Sequence, residues 1–238
     1  LGGPNSPGRG PQGPCDERPD RQGPRPAVTV ASLALPTDRP ARLLLIRTSA
    51  LGDVVHCLPV LRALRRRFPQ ARIGWVVEAA MAPVLQDHPD LDELIVVRLR
   101  AWRRAFAARQ TRREARESLR RLRAFRADVA IDLMGNHKAG ALAWLSGARL
   151  RLGAAKASRR EPSSAIWIHR GVPVAGHAVE RALGLLAPFG IQAAPADFGP
   201  AVLLPPRPGD SPAEPCDVLI HPGAGWRNKV YPPALWGQ

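Results

Sequence analysis

Lysine is nearly missing from this chain. Lys138, Lys156 and Lys229 stand alone among 35 basic residues, against 20 acidic ones, so arginine carries almost all of the +15 net charge. Such an excess attracts nucleic acid, anionic membrane or phosphorylated substrates, and by itself selects none of them. Cysteine is also scarce: Cys15, Cys57 and Cys216 are scattered, with no CxxC and no histidine pair at metal-ligand spacing. This pattern excludes a disulfide scaffold and a zinc site, and it suits a reducing cytoplasm. No apolar run approaches the ~18 residues that would read as a membrane span, and the amino end has no signal-peptide core.

What the chain does have is concentrated first in Arg42 to Pro69, RLLLIRTSALGDVVHCLPVLRALRRRFP. Leu43 to Ile46 form a short apolar run, the length of a buried parallel strand. A turn through Thr48-Ser49-Ala50-Leu51-Gly52-Asp53 follows. Val54, Val55, Leu58, Leu61, Leu64 and Phe68 then recur at helical spacing up to Pro69. Strand, small-residue loop and helix make the first half of a nucleotide-fold βαβ unit, whose ligand crevice lies at the carboxyl ends of the strands. The loop has neither a GxGxxG nor a GxxxxGK[ST] pattern, so it is no dinucleotide fingerprint and no P-loop. Asp53 falls at the helix start, where a carboxylate commonly caps free N–H groups.

TSALGDVVHCLPVLRALRRRFP resembles the opening motif of the lipopolysaccharide heptosyltransferases, the ADP-heptose glycosyltransferases of family 9. The resemblance implies a GT-B fold, with a Rossmann-like acceptor domain followed by a Rossmann-like donor domain. It also implies that Asp53 is the catalytic base, with Ser49 and Gly52 in the acceptor site.

Further along, Arg72 to Val77 and Leu94 to Val97 read as strands, with a short helix from Glu78 to Asp87 between them. His88, in a turn before Pro89, reads as a surface histidine. Arg98 to Arg126 is the charge centre, twelve arginines against Glu114 and Glu117. Trp102, Phe106, Leu119, Leu122 and Phe125 give it an apolar stripe, so it reads largely as an amphipathic helix with a solvated basic face. Within it, Arg100-Ala101-Trp102-Arg103-Arg104 resembles the RRWRK-like segment of the type I members of the family. That likeness assigns Arg100, Arg103 and Arg104 to the anionic acceptor.

Val129 to Leu133 is a fourth buried strand, leading into Met134-Gly135-Asn136-His137-Lys138. This resembles the family's IDxQGxxKSA segment, with Met134 where Gln is usual, and implies that Lys138 binds the acceptor. His137 reads as structural. Arg159-Arg160-Glu161-Pro162 and His177-Ala178-Val179-Glu180-Arg181 resemble the AREP and HAVER segments of type I, which makes Arg160 an acceptor anion ligand. Glu180 reads as the N-terminal carboxylate of a helix running through Leu186. His221-Pro222-Gly223-Ala224-Gly225, with Lys229 and Tyr231-Pro232-Pro233, resembles the family's HPGAG and K.WPP donor motif. There Gly223, Ala224, Gly225 and Lys229 would hold the pyrophosphate.

The expected organisation is a disordered Pro/Gly/Arg-rich segment over 1–40, an acceptor domain over 41–191, a linker over 192–215, and the start of a truncated donor domain over 216–238. The resemblance implies an inverting transferase that moves L-glycero-D-manno-heptose from ADP-heptose to the Kdo region of Kdo2-lipid A. No cofactor beyond the donor substrate is expected, and the site is peripheral on the cytoplasmic face of the inner membrane. Three alternatives stay open at this stage: a type II or other family 9 sugar transferase, a basic nucleic-acid-binding protein, and an inactive fragment.

Overall fold

A computed structural model describes residues 32–192 and 197–199. The chain divides into two units, Leu1–Pro200 and Ala201–Gln238. The second lies outside the described residues, and the donor-motif residues Gly223, Ala224, Gly225 and Lys229 with it.

The first unit is built on a six-stranded parallel sheet in the order β3-β2-β1-β4-β5-β6. Its strands are β1 (Arg42–Ile46), β2 (Arg72–Glu78), β3 (Glu93–Val97), β4 (Val129–Asp132), β5 (Leu150–Ala154) and β6 (Arg170–Val172). Sequence order reverses between β1 and β4, so the crevice beyond the carboxyl ends of these two strands is where a doubly wound sheet binds ligands. The helices are α1 (Leu51–Val55), α2 (Leu58–Arg67), α3 (Leu99–Arg104), α4 (Arg109–Ala124), α5 (His137–Leu145) and α6 (Ala178–Gly184).

Helices cover both faces of the sheet, which is why Leu43 to Ile46 of β1 are all apolar rather than alternating. Leu43 and Leu45 pack with Ile73, Trp75, Leu61, Leu64 and Leu183 on one face. Leu44 and Ile46 pack with Val76, Ile95, Leu122, Phe125 and Leu142 on the other. Gly74 is needed for the second layer, since a Cβ there would lie 2.7 Å from the Phe125 ring.

Several expectations are corrected. The run after Asp53 is two helices rather than one, parted at His56-Cys57, and Pro59 sits in the first turn of α2, where its missing N–H costs nothing. The short helix expected after β2 is a 3₁₀ turn over Ala79–Val84. The basic segment is also two helices: α3 ends at Ala105 (φ −131°, ψ 34°), which takes Phe106 out of phase and leaves it 64% exposed, outside the apolar stripe. His88 is buried rather than on the surface, its Nδ1 accepting the Asp90 N–H at 3.2 Å. Residues 32–40, assigned above to a disordered segment, are tied to the fold. The Leu33 N–H donates to the Pro188 carbonyl at 2.8 Å, and Arg39 forks onto Asp128. Among the described residues no helix is long and apolar enough to cross a membrane.

Candidate active site

A cleft of about 180 Å³ opens at the carboxyl ends of β1, β4 and β5. The turns after these strands and helix α6 supply its walls, among them Arg47, Asp53, His56, Asp132, Gly135, Arg160 and Arg181.

Asp53 enters from the first turn of α1. Its Oδ2 accepts the Ala50 N–H at 3.2 Å, so the capping role expected from sequence is real. The same oxygen is paired with the Arg47 guanidinium. Arg47 also donates to the Leu133 carbonyl at 2.7 Å, linking the β1 turn to the β4 turn. Asp53 Oδ1 has no hydrogen bond from any described residue, and the side chain is 41% exposed toward the cleft mouth. One oxygen is thus held while the other remains open to a reacting group.

Beside it, Cys57 is closed off from solvent, and burial pushes its thiol up to about 12, so it is no nucleophile at neutral pH. His56, one helical turn from Asp53, meets His177 edge-to-face at 5.5 Å. The His177 N–H donates to Glu180 Oε2 at 3.0 Å, which confirms Glu180 as the helix-start carboxylate of α6. From that helix Arg181 turns back onto the Val174 carbonyl at 3.4 Å and donates to the Ser158 carbonyl at 2.5 Å.

The floor of the cleft is the turn after β4. Asp132 Oδ1 accepts the N–H groups of Met134 and Gly135, both at 2.9 Å. Gly135 holds φ +67°, and a Cβ there would press within 3.3 Å of the Arg160 backbone nitrogen. Where the family pattern has Gln, the Met134 sulfur accepts from the Thr48 N–H at 3.4 Å and its hydroxyl at 3.3 Å. Arg160 lines the cleft, exposed, with no hydrogen bond or ion pair to any described residue.

The structure therefore brings Asp53 and Arg160 into one cleft. Ser49 lies half-buried in the β1 turn and Gly52 is exposed on α1, and neither lines the cavity. Arg100, Arg103 and Arg104 are exposed on α3, beyond β3 and away from the cavity lining; the Arg100 N–H reaches Glu78 Oε1 at 3.4 Å. Lys138 is exposed in the first turn of α5, also outside the lining. His137 does have partners: its Nδ1 accepts the Trp167 indole N–H at 3.0 Å, leaving Nε2–H for the Ser163 hydroxyl at 2.9 Å. That tautomer cannot deprotonate Ser163, so the pair is structural. Sequence reasoning missed Arg47 and the Asp132–Arg159 pair, and no local motif marks either.

Comparisons with known proteins agree with this architecture. A model of glycosyltransferase family 9 (heptosyltransferase) matches residues 115–238. The chain is 34% identical over 200 residues to lipopolysaccharide heptosyltransferase 1 of Pseudomonas aeruginosa, covering 83% of this chain and 56% of that one. It is 32% identical over 148 residues to the Escherichia coli K12 protein of the same name, covering 61% and 46% respectively. The chain thus spans about half the length of the curated relatives it matches. Among solved structures it is similar to E. coli heptosyltransferase WaaC with ADP-2-deoxy-2-fluoro heptose, at TM-score 0.61 and 29% identity over 66% of this chain and 51% of that one. A glycosyl transferase family 9 structure from Veillonella parvula shares the fold, at TM-score 0.51 and 21% identity over 65% of this chain and 42% of that one.

Proposed function

The chain belongs to glycosyltransferase family 9, and from that premise we propose that its protein is an inverting heptosyltransferase of the type I class. It moves L-glycero-D-manno-heptose from ADP-heptose to the Kdo region of Kdo2-lipid A, in synthesis of the lipopolysaccharide inner core. The observation that carries this reading is one cleft that holds the Asp53 carboxylate, with Oδ1 not hydrogen-bonded by any described residue, beside the Arg160 guanidinium, which has no partner among the described residues.

Asp53 Oδ1 takes the proton of the attacking acceptor hydroxyl as its oxygen bonds to the anomeric carbon. The bond from that carbon to the phosphate oxygen breaks, and ADP leaves with the electron pair. The anomeric centre passes through an oxocarbenium-like state and inverts. General-base assistance of this kind contributes about 10²–10⁴-fold. Arg160 binds a carboxylate or phosphate of the acceptor in a charge-assisted fork. Arg100, Arg103, Arg104 and Lys138 lie outside the cavity lining and would reach more distant anionic groups of so large a lipid. Lys229 and the amides of Gly223, Ala224 and Gly225 would stabilise the departing pyrophosphate electrostatically, with no metal cofactor in the scheme.

A lipid acceptor also implies contact with the cytoplasmic face of the inner membrane. The arginine face of α4, where Arg120 and Arg121 pair with Glu117 alone among the described residues, and the exposed Phe106 suit an anionic lipid surface. Co-sedimentation with anionic but not zwitterionic vesicles tests that contact. The reaction is tested with the protein expressed to its natural stop codon. Heptose should pass from ADP-heptose to Kdo2-lipid A, and not to an acceptor already bearing the first heptose, which a type II enzyme would prefer. No product from a folded protein would overturn the assignment.

A further inference from the structure

Arg159 has no counterpart in the AREP pattern, where Ala occupies its position, yet its guanidinium is buried and bonded at all three nitrogens. Its side chain and that of Asp132 are both fully buried and paired through Arg159 Nη2 and Asp132 Oδ2. Arg159 Nε donates to the Ser164 hydroxyl at 2.8 Å and Nη1 to the Ala154 carbonyl at 3.2 Å. The Ser164 hydroxyl in turn donates to the Glu161 carbonyl at 2.6 Å. Asp132 spends its other oxygen on the Met134 and Gly135 amides. The Glu161 N–H donates to the Gly135 carbonyl at 2.9 Å, and Glu161 Oε2 accepts the His137 N–H at 2.9 Å. One buried guanidinium thereby ties the ends of β4 and β5 to the turn after β4 and to the segment that carries Arg160. The residue that follows it in the chain is Arg160.

We propose that Arg159, through its buried pair with Asp132, is a positioning residue that sets the place of the Arg160 guanidinium in the cleft and so determines recognition of the acceptor's anionic group. This rests on the heptosyl-transfer reading above. A buried ion pair is weak evidence for stability on its own, because desolvation offsets much of the attraction. Its usefulness here is directional: a planar fork fixes geometry that a lysine ammonium does not. Since the Arg160 side chain has no partner among the described residues, its backbone placement decides where its charge falls within this unit.

The test uses steady-state transfer from ADP-heptose to Kdo2-lipid A by the parent, Arg159→Lys, Arg160→Ala and the two combined. A fourth variant, Asp132→Asn with Arg159→Gln, keeps a neutral hydrogen-bonded pair and guards against misfolding from an unpaired buried charge. Displacement of a binding group by about 1 Å costs up to 10²-fold. Arg159→Lys and the neutral pair should therefore raise acceptor KM about tenfold or more, with donor KM and kcat within about twofold of the parent. In the Arg160→Ala background Arg159→Lys should add nothing, because the residue it positions is gone. A lower melting temperature with unchanged acceptor KM, additive effects in the combined variant, or failure of both Arg159 variants to fold would reduce the pair to a purely structural role and overturn the proposal. An inactive parent would refute the reaction itself. An active parent sensitive to Arg160→Ala but indifferent to Arg159→Lys would refute this inference alone.

Discussion

Arg47 joins Asp53 to the neighbouring strand. Its guanidinium pairs with Asp53 Oδ2 and donates to the Leu133 carbonyl at 2.7 Å, so the carboxylate on the β1 turn is held in register with the turn after β4. The Trp75 indole N–H anchors the Arg47 carbonyl at 3.1 Å, which fixes the backbone from which this arm reaches. The arrangement holds Asp53 Oδ2 and leaves Oδ1 without a hydrogen bond from any described residue.

Arg47→Met should release Asp53 without removing it. A carboxylate misplaced by about 1 Å costs on the order of 10²-fold, so kcat should fall roughly that far with donor KM little changed. Steady-state kinetics with a thermal melt alongside checks this.

Arg160→Ala should act on acceptor binding. A hydrogen bond to a charged group contributes about 1.5–3 kcal/mol, so acceptor KM should rise on the order of 10–100-fold. Because Arg160 is exposed and has no partner among the described residues, the melting temperature should hardly move.

Cys57 should resist alkylation. Burial raises its thiol to about 12, with Arg47 acting against that shift and Asp53 with it, so little thiolate exists at neutral pH. Iodoacetamide labelling resolved by peptide mass spectrometry should leave Cys57 unmodified in the folded protein and label it in denaturant.

His88 supplies a pH dependence. Burial lowers its pKa from the ordinary value, Asp90 opposing and Arg62 reinforcing that change. The unfolded chain then binds the proton more readily, so stability falls as pH drops below the unfolded value of about 6.5 and levels off below the folded pKa. His88→Gln should flatten this part of the stability profile. Urea unfolding of both proteins between pH 7.5 and 5 reads it directly.

The legible part of the fold was the part buried on both faces. Strands β1, β2 and β4 showed as apolar runs because helices cover each side of the sheet there, and the edge strand β3 was legible from its Leu94–Val97 run although Val96 is exposed. Strand β5 carries Arg151 and Gly153 in five residues and β6 has only three, so neither has a hydrophobic pattern to read. Helix α5 is rich in Ala and Gly and has no apolar stripe, so its sequence offered no periodic pattern to read; in the structure Asn136 caps it, Oδ1 accepting the Ala139 N–H at 3.0 Å. Asp53 and Arg160 were legible through motif resemblance, and their sharing of one cleft depends on the order of strands. The Asp132–Arg159 pair spans 27 residues and two strands, a separation across which local sequence carries no signal.

The central claim is that Asp53 is the base of a glycosyl transfer, and Asp53→Ala tests it most directly. The substitution should abolish heptose transfer from ADP-heptose to Kdo2-lipid A, a loss of about 10²-fold at the least. The loss of the Ala50 cap should lower stability by only about 1 kcal/mol, leaving the variant folded by circular dichroism. Near-normal turnover by a folded Asp53→Ala protein would contradict the account.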